Sequence, residues 1–188
     1  MSINLAHKFG QGITPRQFME GMQQNKAEFA AGYEAFKWMH EEDQAFFKSL
    51  NYRDDLRVLI LAADWCGDVV RNVPVVFRAL EESGLETEVL ILEEHQDTMD
   101  HFLTMGGRSV PIIIFTDTGG HVLGSWGPRP QHVQELMIQF KQANPDREAP
   151  DYAEKIGVVR QQMAEKYKEG GGVNASVVSE LRALISGL

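Results

Sequence analysis

One residue in this chain carries obvious covalent chemistry. Cys66, its single cysteine, stands in the stretch Ala63-Asp64-Trp65-Cys66-Gly67-Asp68-Val69, with Pro74 behind it. The apolar run Val58-Leu59-Ile60-Leu61-Ala62 before it reads as a buried strand, and a helical pattern follows. Cys66 therefore falls where a strand gives way to a helix. The unpaired amides of a helix N-terminus favour negative charge there, a thiolate included. Asp64 and Asp68, a few residues away, oppose ionisation. The expectation is a moderately reactive, exposed thiol with a pKa close to that of a free one. A single cysteine forbids any intrachain disulfide, which fits a reducing compartment.

The elements that must position this sulfur follow from punctuation and periodicity. Thr14-Pro15-Arg16-Gln17 is a capping-box helix start, and Asn25-Lys26-Ala27-Glu28 reads as a second one. Phe29, Tyr33 and Phe36 share a helical face. Glu41-Glu42-Asp43 opens a third short helix carrying Phe46, Phe47 and Leu50. From Arg57 the pattern changes: residues 58–63 predict a strand, 67–82 a helix ending near Ser83-Gly84, and 86–92 a second strand. A short helix runs to about Met105, and Gly106-Gly107-Arg108 is a loop. Residues 111–116 and 121–126 are strands around the hairpin signal Thr118-Gly119-Gly120. After the rigid loop Gly127-Pro128-Arg129-Pro130, residues 131–143 form a helix. The order β-α-β-α-β-β-α makes the first two strands parallel and the last two a hairpin, so the fold class is α/β with a mixed four-stranded sheet. Residues 144–150 are a polar linker, a charged helix spans about 151–168, and Gly170-Gly171-Gly172 is a flexible joint. Asn174 is expected to cap a last helix whose stripe of Val177, Val178, Leu181, Leu184 and Ile185 docks on its own domain or on a second copy of the chain.

These marks together resemble the thioredoxin family over residues 56–143. Trp65-Cys66-Gly67 matches the first part of its Trp-Cys-Gly-Pro-Cys signature, and Pro74 falls where that family kinks its active-site helix. Val110-Pro111 matches the cis-proline loop, and Trp126-Gly127 the hydrophobic-Gly pair bordering the substrate groove. The division is then a helical extension over 1–55, a thioredoxin-like domain over 56–143, and a linker with helices over 144–188. The extensions resemble those of an uncharacterised bacterial branch of the family. The departures bear on mechanism. Asp68 replaces the motif proline, Val69 the resolving cysteine, and Ile60 a buried aspartate used in proton transfer. Ser109-Val110-Pro111 also resembles the glutaredoxin Thr-Val-Pro, and monothiol glutaredoxins keep only the first cysteine. Leu123-Gly124-Ser125 does not match their glutathione-holding Gly-Gly, however, and Trp65 and Pro74 favour the thioredoxin side.

The resemblance implies that Cys66 attacks a disulfide to form a mixed disulfide. With Val69 in place of a second sulfur, release must come from an external thiol, and ordinary dithiol reduction is not expected. It also implies a peptide groove walled by Trp65, Val110, Pro111, Trp126 and Gly127, with Arg108 and Arg129 in flanking loops, where they either attract an acidic peptide or stabilise an anion, or, as the favoured reading has it, are solvated loop arginines. Three readings stay open: monothiol exchange with a protein client or low-molecular-weight thiol, a non-catalytic peptide-binding groove, and a redox sensor in which Cys66 is capped or joins two chains by a disulfide.

Composition narrows the rest. A net charge of −9 offers no basic excess for nucleic acid. No apolar run approaches the roughly 18 residues of a membrane helix, and Met1 to Lys8 lack a signal peptide's apolar core, so a cytoplasmic protein is expected. No cofactor is implied. Glu93, Glu94, His95, Asp97, Asp100 and His101 have no metal-ligand spacing and read as charges opening a solvent-facing helix.

Overall fold

The structure is a computed structural model and describes residues 2–188. Met1, which opened the stretch read for a signal peptide, lies outside the described residues. Three helices come first: α1 (Pro15–Gly21), α2 (Lys26–Ala35) and α3 (Glu41–Ser49). The central unit is β1 (Leu56–Ala62), α4 (Gly67–Ser83), β2 (Glu86–Ile91), α5 (Gln96–Met99), β3 (Ile112–Asp117), β4 (Val122–Trp126) and α6 (Gln131–Ala143). Two helices, α7 (Tyr152–Lys166) and α8 (Gly172–Ile185), end the chain. The sheet order is β2-β1-β3-β4. β1 runs parallel to β2 and antiparallel to β3, and β3 runs antiparallel to β4. This is the mixed four-stranded sheet expected from the element order.

Each element has a local cause. Every residue of β1 except Arg57 is buried, as its unbroken apolar run requires of a central strand covered on both faces. Thr14 and Gln17 form the reciprocal capping box at α1. α4 stops at Gly84, which takes the left-handed conformation at φ 66° that closes a helix without a Cβ penalty. Pro74 is retained inside α4. A Cβ on Gly32 would sit 3.4 Å from its ring, so α2 crosses α4 closely at that point. Phe18, Phe29 and Phe77, with ring centroids 5.6 to 6.1 Å apart, tie α1 and α2 to α4. One core joins the sheet, α4, the N-terminal helices and α8, while a smaller one lies between α6 and α7.

Four local expectations are corrected. Asn25 does precede α2, but its side chain makes no cap; it is in the left-handed conformation and its amide is used elsewhere. Asn174 lies inside α8, which Gly171 precedes. The helix expected to reach Met105 stops at Met99, because Thr104 and Gly107 pair with each other and hold the following loop. The triple glycine is a tight turn with all three residues at positive φ. Through it, the α8 stripe of Val177, Val178, Leu181 and Ile185 is buried within the same chain.

Candidate functional site

Cys66 occupies the N-cap position of α4 and is half-buried. Its Sγ lies 3.3 Å from the Val110 carbonyl, to which the thiol donates. The Val110–Pro111 peptide bond is cis. Gly127 backs the same loop with φ 127°, and any Cβ there would fall 2.1 Å from the Pro111 carbonyl oxygen, so only glycine fits. Two motifs 44 residues apart in the chain thus meet at one sulfur.

The ionisation of that sulfur differs from the expectation. Burial pushes the Cys66 thiol up from its ordinary value; the backbone amide of Val69 pulls it down and the charge of Asp68 pushes it up again. The reason is the lost hydration of a half-buried sulfur, which spacing along the chain does not reveal. Asp64 does not face the thiol. Its carboxylate accepts from the Gln23 and Gln24 amides at 2.8 and 3.1 Å, and its carbonyl accepts from the Asn25 side chain at 2.9 Å. The cysteine loop is therefore stapled to the turn between α1 and α2.

Asp68 has a partner for each oxygen. Arg129 Nη2 is 2.8 Å from one, and the Tyr167 hydroxyl donates to the other at 2.8 Å. Tyr167 in turn accepts from the Asn72 side chain at 2.9 Å, and Arg129 donates to Gln134 at 2.7 Å. Arg129 is thus not a solvated loop arginine: its side chain is 11% exposed. Burial, then the Asp68 charge, raise the Tyr167 phenol far above its usual range, so it stays a donor. Arg108 is also engaged, forking onto Asp100 at 2.8 and 3.0 Å and reaching Gln96.

Trp65 is 50% exposed, and its indole N–H is held by Glu93 at 2.6 Å. The acidic stretch after β2 is not simply a solvent-facing helix start. Glu93 orients Trp65, His95 is buried, and Asp97 pairs with Lys8.

Trp65, Cys66, Asp68, Arg108, Val110 and Arg129 line an open cleft of about 690 Å³. Of the residues expected at the site, Trp65, Cys66, Gly67, Asp68 and Val110 lie on its wall. Val69 is fully buried behind it. Pro111, Trp126 and Gly127 are not on the wall either; Trp126 is 8% exposed and gives its indole N–H to Glu180 of α8. Sequence reading missed Arg71 on α4, Arg160 and Met163 on α7, and Tyr167 just after α7. Their signals were present: Arg71 is three residues from Asp68, and Arg160, Met163 and Tyr167 repeat at i, i+3, i+7 on one helix face.

The Thioredoxin_9 family, described as Thioredoxin, matches residues 12–143. The chain belongs to this thioredoxin family. The matched stretch takes in α1 to α3 as well as the sheet. Two solved structures share the fold along nearly the entire chain. A protein of unknown function, PA1234 from Pseudomonas aeruginosa, is 17% identical with a TM-score of 0.63 and covers 98% of both chains. An HIV epitope-scaffold is 17% identical with a TM-score of 0.64 and covers 99% of both. Comparison with curated proteins finds no match. Within this thioredoxin family the chain carries a single cysteine, Cys66. It carries Val69, with no exposed surface, where the resemblance expects the resolving one.

Proposed function

We propose that this thioredoxin-family protein exchanges thiols and disulfides through Cys66 alone. The observation that carries the reading is the sulfur's place: on the cleft wall, at the N-terminus of α4, against the Val110 carbonyl of the cis-proline loop. The Cys66 thiol loses its proton to solvent, and the thiolate attacks one sulfur of a bound disulfide. A Cys66–substrate bond forms, the original S–S bond breaks, and the departing thiolate takes up a proton. A second, external thiol then attacks the mixed disulfide, returns Cys66 as a thiol and leaves as the new disulfide partner. The electron count closes with the two disulfides alone.

The test uses a protein disulfide substrate with and without a small external thiol. The wild-type chain accumulates a mixed disulfide and turns over only when the external thiol is supplied; Cys66→Ser does neither. Val69→Cys, a change of similar volume expected to cost less than about 1.5 kcal/mol, gives release without an external thiol. Turnover persisting in Cys66→Ser sinks the reading.

A second reading, a non-covalent peptide groove, is favoured by the burial that pushes the Cys66 thiol up from its ordinary value. On that reading Cys66→Ser retains client binding at full strength and the wild type forms no mixed disulfide.

A further inference from the structure

The chain carries a net charge of −9, yet four of its ten arginines (Arg71, Arg108, Arg129 and Arg160) line the one cleft that holds Cys66. Two of these charges are spent, Arg129 on Asp68 and Arg108 on Asp100. Among the described residues, neither Arg71 nor Arg160 has an ion-pair or hydrogen-bond partner. Arg71 is stacked instead, its guanidinium 5.1 Å from the centre of the Tyr167 ring. Stacking orients a guanidinium without neutralising it. The two free forks come from different elements, α4 and α7, and line the same cleft as the sulfur. Against them stands one lining carboxylate with no partner, Glu28. The N-terminal end of the 17-residue α4 adds partial positive charge.

We infer that the cleft selects thiols and disulfides bearing carboxylates, with Arg71 and Arg160 holding the anionic groups while the sulfur meets Cys66. This deepens the monothiol reading and rests on it for the exchange step. Planar guanidinium forks match carboxylates in bidentate geometry. On an acidic protein they also concentrate in the cleft anions that the rest of the surface repels. A volume of about 690 Å³ lies in the range that holds a small molecule or a few residues of peptide. The occupant is therefore a carboxylated thiol of low mass or the acidic, cysteine-bearing end of a peptide. The exchange step is unchanged: Cys66 gains the S–S bond, the substrate's own S–S bond breaks, and the leaving thiolate is protonated by solvent.

The experiment compares two aromatic disulfides on the full chain, dithiobis(nitrobenzoate), with a carboxylate on each ring, and dithiodipyridine, with none. Each rate is divided by that of a free cysteine peptide with the same reagent. The anionic reagent is expected to gain about tenfold over the neutral one at low salt, and the gain shrinks as salt is added. Arg71→Gln and Arg160→Gln each bring the ratio toward one, while Arg16→Gln, on the remote α1, does not. A ratio at or below one, or one indifferent to both cleft substitutions, overturns the inference and leaves monothiol exchange standing. Should neither reagent label Cys66, monothiol exchange fails, and calorimetry of Cys66→Ser with dithiobis(nitrobenzoate) decides the anion site alone. Heat of binding lost in the double arginine variant supports it, and no binding overturns it. Parallel rates with a glutamate-rich peptide disulfide and with a small carboxylated disulfide identify the source, and slower reaction of both than of a neutral peptide disulfide counts against the inference.

Discussion

At the scale of the residue, the position of Cys66 and its reactivity pull apart. The helix N-terminus and the amide of Val69 favour a thiolate, but half-burial and Asp68 outweigh them and raise the pKa. Since the thiolate is the nucleophile, attack is slow near neutrality and quickens as pH rises through the displaced pKa. Asp68→Asn removes the opposing charge and also frees Arg129, 2.8 Å away, to act on the sulfur. Both effects favour the anion. Alkylation of Asp68→Asn by iodoacetamide, a neutral reagent, is therefore expected to be faster at pH 7, with its inflection moved down. An inflection that stays put or rises would show that Asp68 does not govern the thiol. The residue types of this site were legible in the sequence, because Trp65-Cys66-Gly67 and Val110-Pro111 are local strings. Their charge partners were not. Arg129 and Tyr167 lie 61 and 99 residues beyond Asp68 in the chain, and no local pattern announces such a pairing.

At the scale of the element, the additions at both ends complete what the central unit leaves unfinished. α6 begins after Pro130, which has no side chain able to cap it. Glu180, from α8, supplies the acceptor: its carboxylate takes the Gln131 amide at 3.0 and 3.1 Å and the Trp126 indole N–H at 3.0 Å. Glu180→Ala leaves both donors unmatched at the start of a helix whose dipole favoured the negative charge. The expected loss is about 2 kcal/mol, or roughly 4–8 °C in Tm for a chain of this size. Glu180→Gln, which keeps an acceptor, loses less. Equal Tm values for wild type and Glu180→Ala in a thermal melt would remove the cap. The borders of these elements were readable where chemistry is local. Gly84 stops α4, and the Ile112-Ile113-Ile114 run makes β3. Asn25 and Asn174 misled because an asparagine before a helical pattern has several uses, and tertiary contact decided between them: Asn25 binds the Asp64 carbonyl, and α8 starts earlier at a glycine turn.

At the scale of the whole molecule, the N-terminal segment guards both edges of the sheet. Ile3 and Leu5 pair with the β4 side, the Val122 amide donating to Ile3 at 3.0 Å and the Leu5 amide to Gly120 at 2.7 Å. Ile13 then exchanges hydrogen bonds of 2.9 and 2.7 Å with Val89 on β2. Edge groups paired within the chain are not free to pair with another chain's strand. Between these two anchors the segment is pinned by Lys8, whose buried side chain places Nζ 3.2 Å from His95 Nδ1 and 2.8 Å from Asp97. That pin is sensitive to acid. Burial first, and the Lys8 charge second, lower the pKa of His95 from 6.5, while Asp97 and Glu94 oppose them more weakly. The folded chain therefore binds this proton less readily than the unfolded one. Stability is fully present above 6.5 and is lost as pH falls from there through the lower folded value. The urea midpoint is expected to drop between about pH 7 and 5, a window in which histidine is the side chain that ordinarily titrates. His95→Gln, which cannot charge, flattens that slope whatever its midpoint at neutral pH. Hydrogen exchange should locate the weakness, with the Leu5, Ile13 and Val89 amides losing protection on acidification before those of β1. An unchanged slope in His95→Gln would place the acid sensitivity elsewhere. Retained protection at those three amides while β1 opens would show that the edge guard does not release first.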